Sequence, residues 1–338
     1  MGWDDLVTEF RALGGIFDNV ELRRGPRGRG LFPIDSTRPV TMKVPPNLLI
    51  PSKDIEIRAG QLVCKRSATL GERERTFFEH YQRQLGWGAG LLDELTQEQR
   101  EWSRLPPDVQ HVLREASIVS ALQFLFLEPD DDSCLQRYLS TRQSNYHGSE
   151  VLMPFVELVN CSSSTAVGFQ HANGITVSGT FADEILVDYN STADCWDRAV
   201  KYGHFDSTIH ACSMALRYQS AGAENIQIYK RYQQAEHRDK MALPLVQRAQ
   251  DSTIEFSYLM LGNSCHPRLP RGIFQHLSKG LALQGPDETF EIVQHYNRVQ
   301  LLRFLDAAES VQTPLASTLR RAARQQLLTL SYCWGTVA

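Results

Sequence analysis

The sequence predicts an α+β fold, with a small, irregular β-rich core interrupted by a helical insertion and followed by an all-helical C-terminal domain. Three observations predict it. Short stretches at 17–44 and 174–189 alternate apolar and polar residues, the two-residue period of strands. Residues 72–139 between them carry helical spacing and few strand signals. Beyond Asp206 the spacing reads as helical for most of the remaining chain.

The elements follow in order. Trp3, Leu6, Phe10 and Leu13 recur every three or four residues, which predicts an amphipathic helix stopped by Gly14-Gly15. Val20 and Leu22, then Leu31, Phe32 and Ile34, predict two short strands around the Gly/Pro turn at 25–30. That turn is either a solvated basic hairpin or a place where glycines admit a ligand beside arginines. It is not a dinucleotide fingerprint, because no Gly-x-Gly-x-x-Gly opens a helix there. Val40 to Val44 alternates again. In the insertion, Pro106-Pro107 opens a helical pattern through Val109, Val112, Leu113, Ala116, Val119, Leu122 and Phe126, which stops at Pro129. Trp87 and Trp102 are expected in the core.

Leu152 to Val159 is nearly continuous apolar sequence apart from Glu157, as a buried segment would be. Strands are expected near 174–178 and 184–189. Gly285-Pro286 begins one C-terminal helix, with Phe290, Val293, Val299, Leu302, Phe304 and Leu305 inward. Thr313-Pro314 begins another, with Leu315, Leu319, Ala322, Leu327 and Leu330 inward, Arg320, Arg321 and Arg324 outward, and Gly335 at its end. The expected divisions are 1–72 and 140–206 for the two halves of the core, 73–139 for the insertion and 207–338 for the C-terminal domain.

Bulk properties exclude several functions. The chain has 338 residues, 42% of them hydrophobic and 22% charged, which is ordinary globular composition with material for a sizeable core. A net charge of −4 argues against nucleic-acid binding by phosphate neutralisation. No apolar run reaches the roughly 18 residues that span a bilayer, and Met1-Gly-Trp-Asp-Asp-Leu lacks the order of a secretory signal, so a soluble cytoplasmic protein is expected. Seven scattered cysteines, with no Cys-x-x-Cys pair, predict reduced thiols packed as small hydrophobes and no structural zinc.

Several motifs, taken in order, resemble one family. Gly28-Arg29-Gly30-Leu31-Phe32 looks like the Gly-x-Gly-Leu opening of SET-domain methyltransferases. The segment from Met42 to Ser52 is similar to the stretch that follows it, and Ser140-Thr-Arg142-Gln to the arginine-bearing segment before the second half of that domain. Glu157-Leu-Val-Asn160-Cys161-Ser resembles Asp/Glu-Leu-x-Asn-His-Ser. Asp183-Glu-Ile-Leu-Val-Asp-Tyr189 resembles Gly-Glu-x-x-x-x-Tyr-Gly, and Tyr202-Gly-His-Phe-Asp206 resembles Tyr-Gly-Phe-x-Asp. The order and the helical insertion resemble the branch of the Rubisco large-subunit lysine methyltransferases and the actin-histidine methyltransferase. Two positions depart from the pattern: Cys161 stands where the family has His, and Asn190 where it has Gly.

The resemblance implies S-adenosylmethionine (SAM) as cofactor and a protein nitrogen, lysine first, as acceptor. A neutral amine must be presented in line with a sulfonium methyl group, although free lysine has a pKa of about 10.4. It implies Tyr189 as the catalytic phenol and Tyr202 as a second wall of the methyl-transfer site. It implies Arg142 as the partner of the cofactor's carboxylate. Arg29, Gly30, Leu31, Glu157, Asn160, Cys161 and Tyr189 complete the cofactor set. Read from the residues alone, Tyr189 is a packed strand aromatic, and Asn160 fits a turn cap. Histidine, a small-molecule amine, or a non-catalytic binding or scaffold role on a SET-like fold remain the alternatives. Neither nucleic acid nor membrane is expected as a partner.

Overall fold

Helix α1 (Trp3–Ala12) begins with Asp4 and Asp5 in its first turn, where carboxylates meet the positive end of the helix, and turns Leu6, Val7 and Phe10 inward. The computed structural model describes residues 2–115, 123–165, 167–189, 192–220, 224–230, 236–238, 241–281 and 283–334. The chain divides into two units, Met1–Ser103 with Leu127–Tyr189, and Arg104–Phe126 with Asn190–Ala338. The α+β class expected from the sequence is observed.

In the first unit the strands are short and form small separate sheets. β1 (Ile16–Asp18) pairs with β4 (Val40–Val44). β2 (Val20–Gly25) and β3 (Gly28–Pro33) form a hairpin whose register closes at Gly25 opposite Gly28, leaving Pro26-Arg27 as the turn. Gly28 carries φ of +88°, a left-handed geometry open to glycine. β5 (Ile50–Pro51), β6 (Ile55–Arg58) and β7 (Gln61–Cys64) follow. The insertion contributes α2 (Glu72–Gln84), a π-turn at Trp87–Leu91 and α3 (Leu92–Ser103), while α4 (Pro107–Glu115) belongs to the second unit. α5 (Asp131–Arg142) is capped by Asp130, whose carboxylate accepts from the Ser133 amide at 2.7 Å. β8 (Gln143–Tyr146) and β9 (Ser149–Leu152) continue the β5 sheet. β10 (Asn160–Cys161), β11 (Ile175–Gly179) and β12 (Leu186–Val187) complete the unit.

The core of this unit lies under β4, whose Val40, Met42 and Val44 are wholly buried in alternation, with β1 on one side and β11 on the other. Phe155 is its pivot. Its ring sits 4.9 Å from both Phe10 and Phe17 and 5.2 Å from Tyr81, while its backbone takes a φ of +67°. A left-handed non-glycine residue costs roughly 1–2 kcal/mol, which the aromatic packing holds in place. That bend directs the chain through a single 3-10 turn, Val156–Leu158, into β10. Trp87 and Trp102 are both buried, as their sequence context predicts.

The second unit holds α6 (Cys195–Tyr202), capped by Asp194 and closed by Gly203 with a φ of +70°. Contrary to the all-helical expectation for 207–338, strands fill its next stretch: β13 (His210–Cys212), β14 (Leu216–Gln219), β15 (Asn225–Ile228), β16 (Glu236–Arg238), β17 (Met241–Leu243), β18 (Val246–Arg248), β19 (Ile254–Phe256) and β20 (Met260–Asn263). The physical reason is a period-2 signal too short to dominate a window. Ile226 and Ile228, and Ile254 and Phe256, are buried alternately with polar residues, and β15 pairs in parallel with β19 across a long sequence separation.

Helix returns from α7 (Leu269–Gly280) through α8 (Pro286–Ala307) to α9 (Pro314–Trp334). In α8 the buried stripe runs through Phe290, Val293, Asn297, Leu301 and Phe304, so Val299 and Leu302, expected inward, are exposed. Arg320, expected outward, is half-buried and donates to the Ala308 and Val311 carbonyls at 2.6 Å, beyond the last turn of α8. Ala116, Val119, Leu122, Asn190 and Gly335 lie outside the described residues.

Candidate functional site

The segment Glu157–Cys161 serves two environments, three residues apart. The 3-10 turn points Glu157 into the core, where its Oε1 accepts from the Tyr81 and Tyr138 hydroxyls, both at 3.0 Å. Gln82 Nε2 lies 3.5 Å from the same oxygen, and the single Tyr138 hydroxyl proton is shared between Glu157 Oε1 and Gln82 Oε1, the latter at 2.8 Å. Among the described residues, Glu157 Oε2 is buried with no hydrogen-bond partner. Burial pushes the Glu157 carboxyl above its ordinary value, opposed first by the charge of Arg142 and then by the two phenols. The structure therefore places Glu157 in a sealed polar cluster between α2 and α5.

Asn160, by contrast, is half-buried on β10 and faces β3. Its Nδ2 donates to the Arg29 carbonyl at 3.2 Å and to Glu184 Oε1 at 2.6 Å. Glu184 Oε2 in turn meets Arg27 Nη1 at 3.2 Å. The parallel pairing of β10 with β12, Asn160 opposite Leu186, brings these residues together across a wide sequence gap. The Ile185 amide donates to the Leu31 carbonyl at 2.8 Å and locks the same segment onto β3. A Cβ on Gly30 would lie 2.5 Å from Glu184 Oε1 and 2.7 Å from Asn160 Nδ2, so glycine alone leaves room for this contact.

Tyr189 stands just beyond β12, half-buried, with its ring stacked on Phe169 at 5.8 Å and 19°. Its hydroxyl donates to the Val159 carbonyl, the residue next to Asn160. Arg142, at the end of α5, places its guanidinium 5.1 Å from the Tyr138 ring centroid and donates to Thr141 Oγ1 at 2.8 Å. Leu31 is wholly buried. Cys161 is buried opposite Val187, and a thiol offers far weaker hydrogen bonding than the imidazole of the family pattern. Tyr202 closes α6 in the second unit, half-buried, its ring 6.0 Å from His204 and 5.3 Å from the Lys201 ammonium.

Arg29, Gly30, Asn160 and Glu184 are thus in direct contact, and Tyr189 reaches the same segment through Val159. Sequence reasoning passed over Glu184 and Arg27 as site residues. The signal for Glu184 was present in the Asp183-Glu184 match, whereas the Arg27 contact spans 157 positions and has no local signature.

A cofactor with a zwitterionic end, such as SAM, would need separate partners for a carboxylate and an ammonium. A guanidinium at Arg142 complements a carboxylate, and an amide acceptor with backbone carbonyls complements an ammonium. Among the described residues no cluster of His, Cys, Asp and Glu could hold a metal, and no helix is long and apolar enough to cross a membrane.

The chain is similar to a solved structure of Rubisco LSMT bound to AdoMet, with a TM-score of 0.46 and 13% identity over 98% of this chain and 90% of that one. No family model matches the sequence, and no curated protein matches it.

Proposed function

We propose that the chain is a SAM-dependent N-methyltransferase that acts on a protein lysine. One observation carries the reading: three motifs far apart in sequence, at 28–32, 157–162 and 183–189, meet around the Asn160 amide and the Tyr189 hydroxyl. Bound SAM supplies an electrophilic methyl group on a sulfonium.

The remaining work falls to this chain's residues. Arg142 pairs with the cofactor's carboxylate, and Asn160 with the backbone at Arg29 and Gly30 holds the ends of the molecule. Tyr189 spends its proton on the Val159 carbonyl, so its oxygen lone pairs are the atoms offered to an amine N–H. An amine that donates to that oxygen turns its own lone pair elsewhere, towards the methyl group. Catalysis is then orientation of a neutral nucleophile, with desolvation favouring loss of the ammonium proton to water.

The test is transfer of labelled methyl from SAM to proteins of a cell extract by the purified chain. Mass spectrometry of the labelled products identifies the residue. Methyl-lysine is expected; methyl-histidine would reassign the acceptor, and no label would remove the reading.

A further inference from the structure

We propose that Glu184 is a positioning residue, which fixes the direction of the Asn160 amide and through it the grip on the cofactor's ammonium group. The inference rests on the reading of this region as a SAM site. Two acceptors face the Asn160 amide from one side, the Arg29 carbonyl at 3.2 Å and Glu184 Oε1 at 2.6 Å. Only the NH2 end can satisfy both. The reversed amide would set its oxygen against two oxygens, so the orientation follows from the chemistry of the partners. Oδ1 is thereby turned away from Glu184 as an acceptor, the group that a ligand ammonium needs.

Glu184 is built to hold that direction. Its side chain is only 3% exposed, its second oxygen is tied to Arg27 at 3.2 Å, and the next residue's amide is bonded to Leu31. The Asn160–Glu184 bond is short and charge-assisted, the stronger of the amide's two constraints. Gly30 completes the arrangement, because any side chain there would occupy the space in which carboxylate and amide meet. The Arg29 carbonyl alone, at 3.2 Å, would leave the amide freer to turn.

Calorimetric titration with SAM tests this on the full chain. Glu184→Ala is expected to weaken SAM binding by about tenfold or more, with kcat at saturating SAM changed by less than about twofold. Glu184→Gln, which keeps an acceptor at the same reach, is expected to recover most of the affinity. In an Asn160→Ala background, Glu184→Ala should weaken binding by less than about twofold further, because its effect passes through the amide. If Glu184→Ala does not fold, Glu184→Met, similar in volume and without a strong acceptor, takes its place in the cycle. Unchanged affinity in the single variant, failure of Gln to recover it, or multiplying losses in the double variant would each overturn the assignment. A wild-type chain that binds no SAM would sink the site reading itself.

Discussion

Glu157 and Glu184 are both buried carboxyl side chains from motif segments, yet they have opposite surroundings. Glu157 is enclosed by two phenols and an amide, with one oxygen unpartnered among the described residues. Glu184 is tied to a half-exposed arginine and to an asparagine amide beside a glycine. The first arrangement gathers polar groups where water cannot compete and ties α2 to α5. The second leaves Asn160 partly accessible, with acceptor capacity to offer a ligand. A carboxyl's role is therefore read from what its partners have left to give, and not from its burial.

Variants on the two sides should separate cleanly. The largest effect is expected from Tyr189→Phe, which removes the hydroxyl held by Val159 while keeping the ring on Phe169. Methyl transfer should fall by about a hundredfold or more, with the melting temperature little changed. Full activity in that variant would break the assignment of Tyr189. Arg142 stacks on Tyr138 and its charge acts on Glu157, while the proposed function assigns its guanidinium to the cofactor's carboxylate. Arg142→Ala should weaken SAM binding by about tenfold or more, and Arg142→Lys, which keeps charge without the fork, should recover only part of it.

Gly30→Ala forces Asn160 and Glu184 apart. A stability loss of about 1–3 kcal/mol is expected by denaturant titration, together with weaker SAM binding. The smallest effect belongs to the sealed side. Burial raises the folded pKa of Glu157 above the ordinary 4.5, so the folded chain holds that proton longer than the unfolded chain. Its contribution is complete below about 4.5 and is lost as pH rises through the folded value. Glu157→Gln keeps an acceptor for the phenols and cannot ionise. Its melting temperature relative to wild type should therefore climb with pH across that window; a difference independent of pH would contradict the electrostatic account.

Much of the fold was legible because its signals are local. The helix start at Gly285-Pro286, the alternation of Val40 to Val44 and the apolar run around Glu157 all appear as their residues predict. The strands between His210 and Asn263 were missed because each is only three or four residues long, and β13 with β20 and β15 with β19 pair at a distance. Motif order alone singles out Asn160 and Tyr189 in the sequence. It does not single out their partners: a backbone carbonyl at Val159 and a guanidinium at Arg27 leave no mark on local sequence. The inward turn of Glu157 follows from the left-handed backbone at Phe155, which no composition or period encodes.

The central claim is that the surroundings of Asn160 form a SAM site. Thermal unfolding of the wild-type chain with and without SAM tests it most directly, since a ligand that binds only the folded state must stabilise it. At a hundredfold excess over Kd the account predicts about 2.7 kcal/mol of added stability and a raised melting temperature, with one SAM bound per chain. A melting temperature that does not move at any SAM concentration, with no heat of binding, would contradict it.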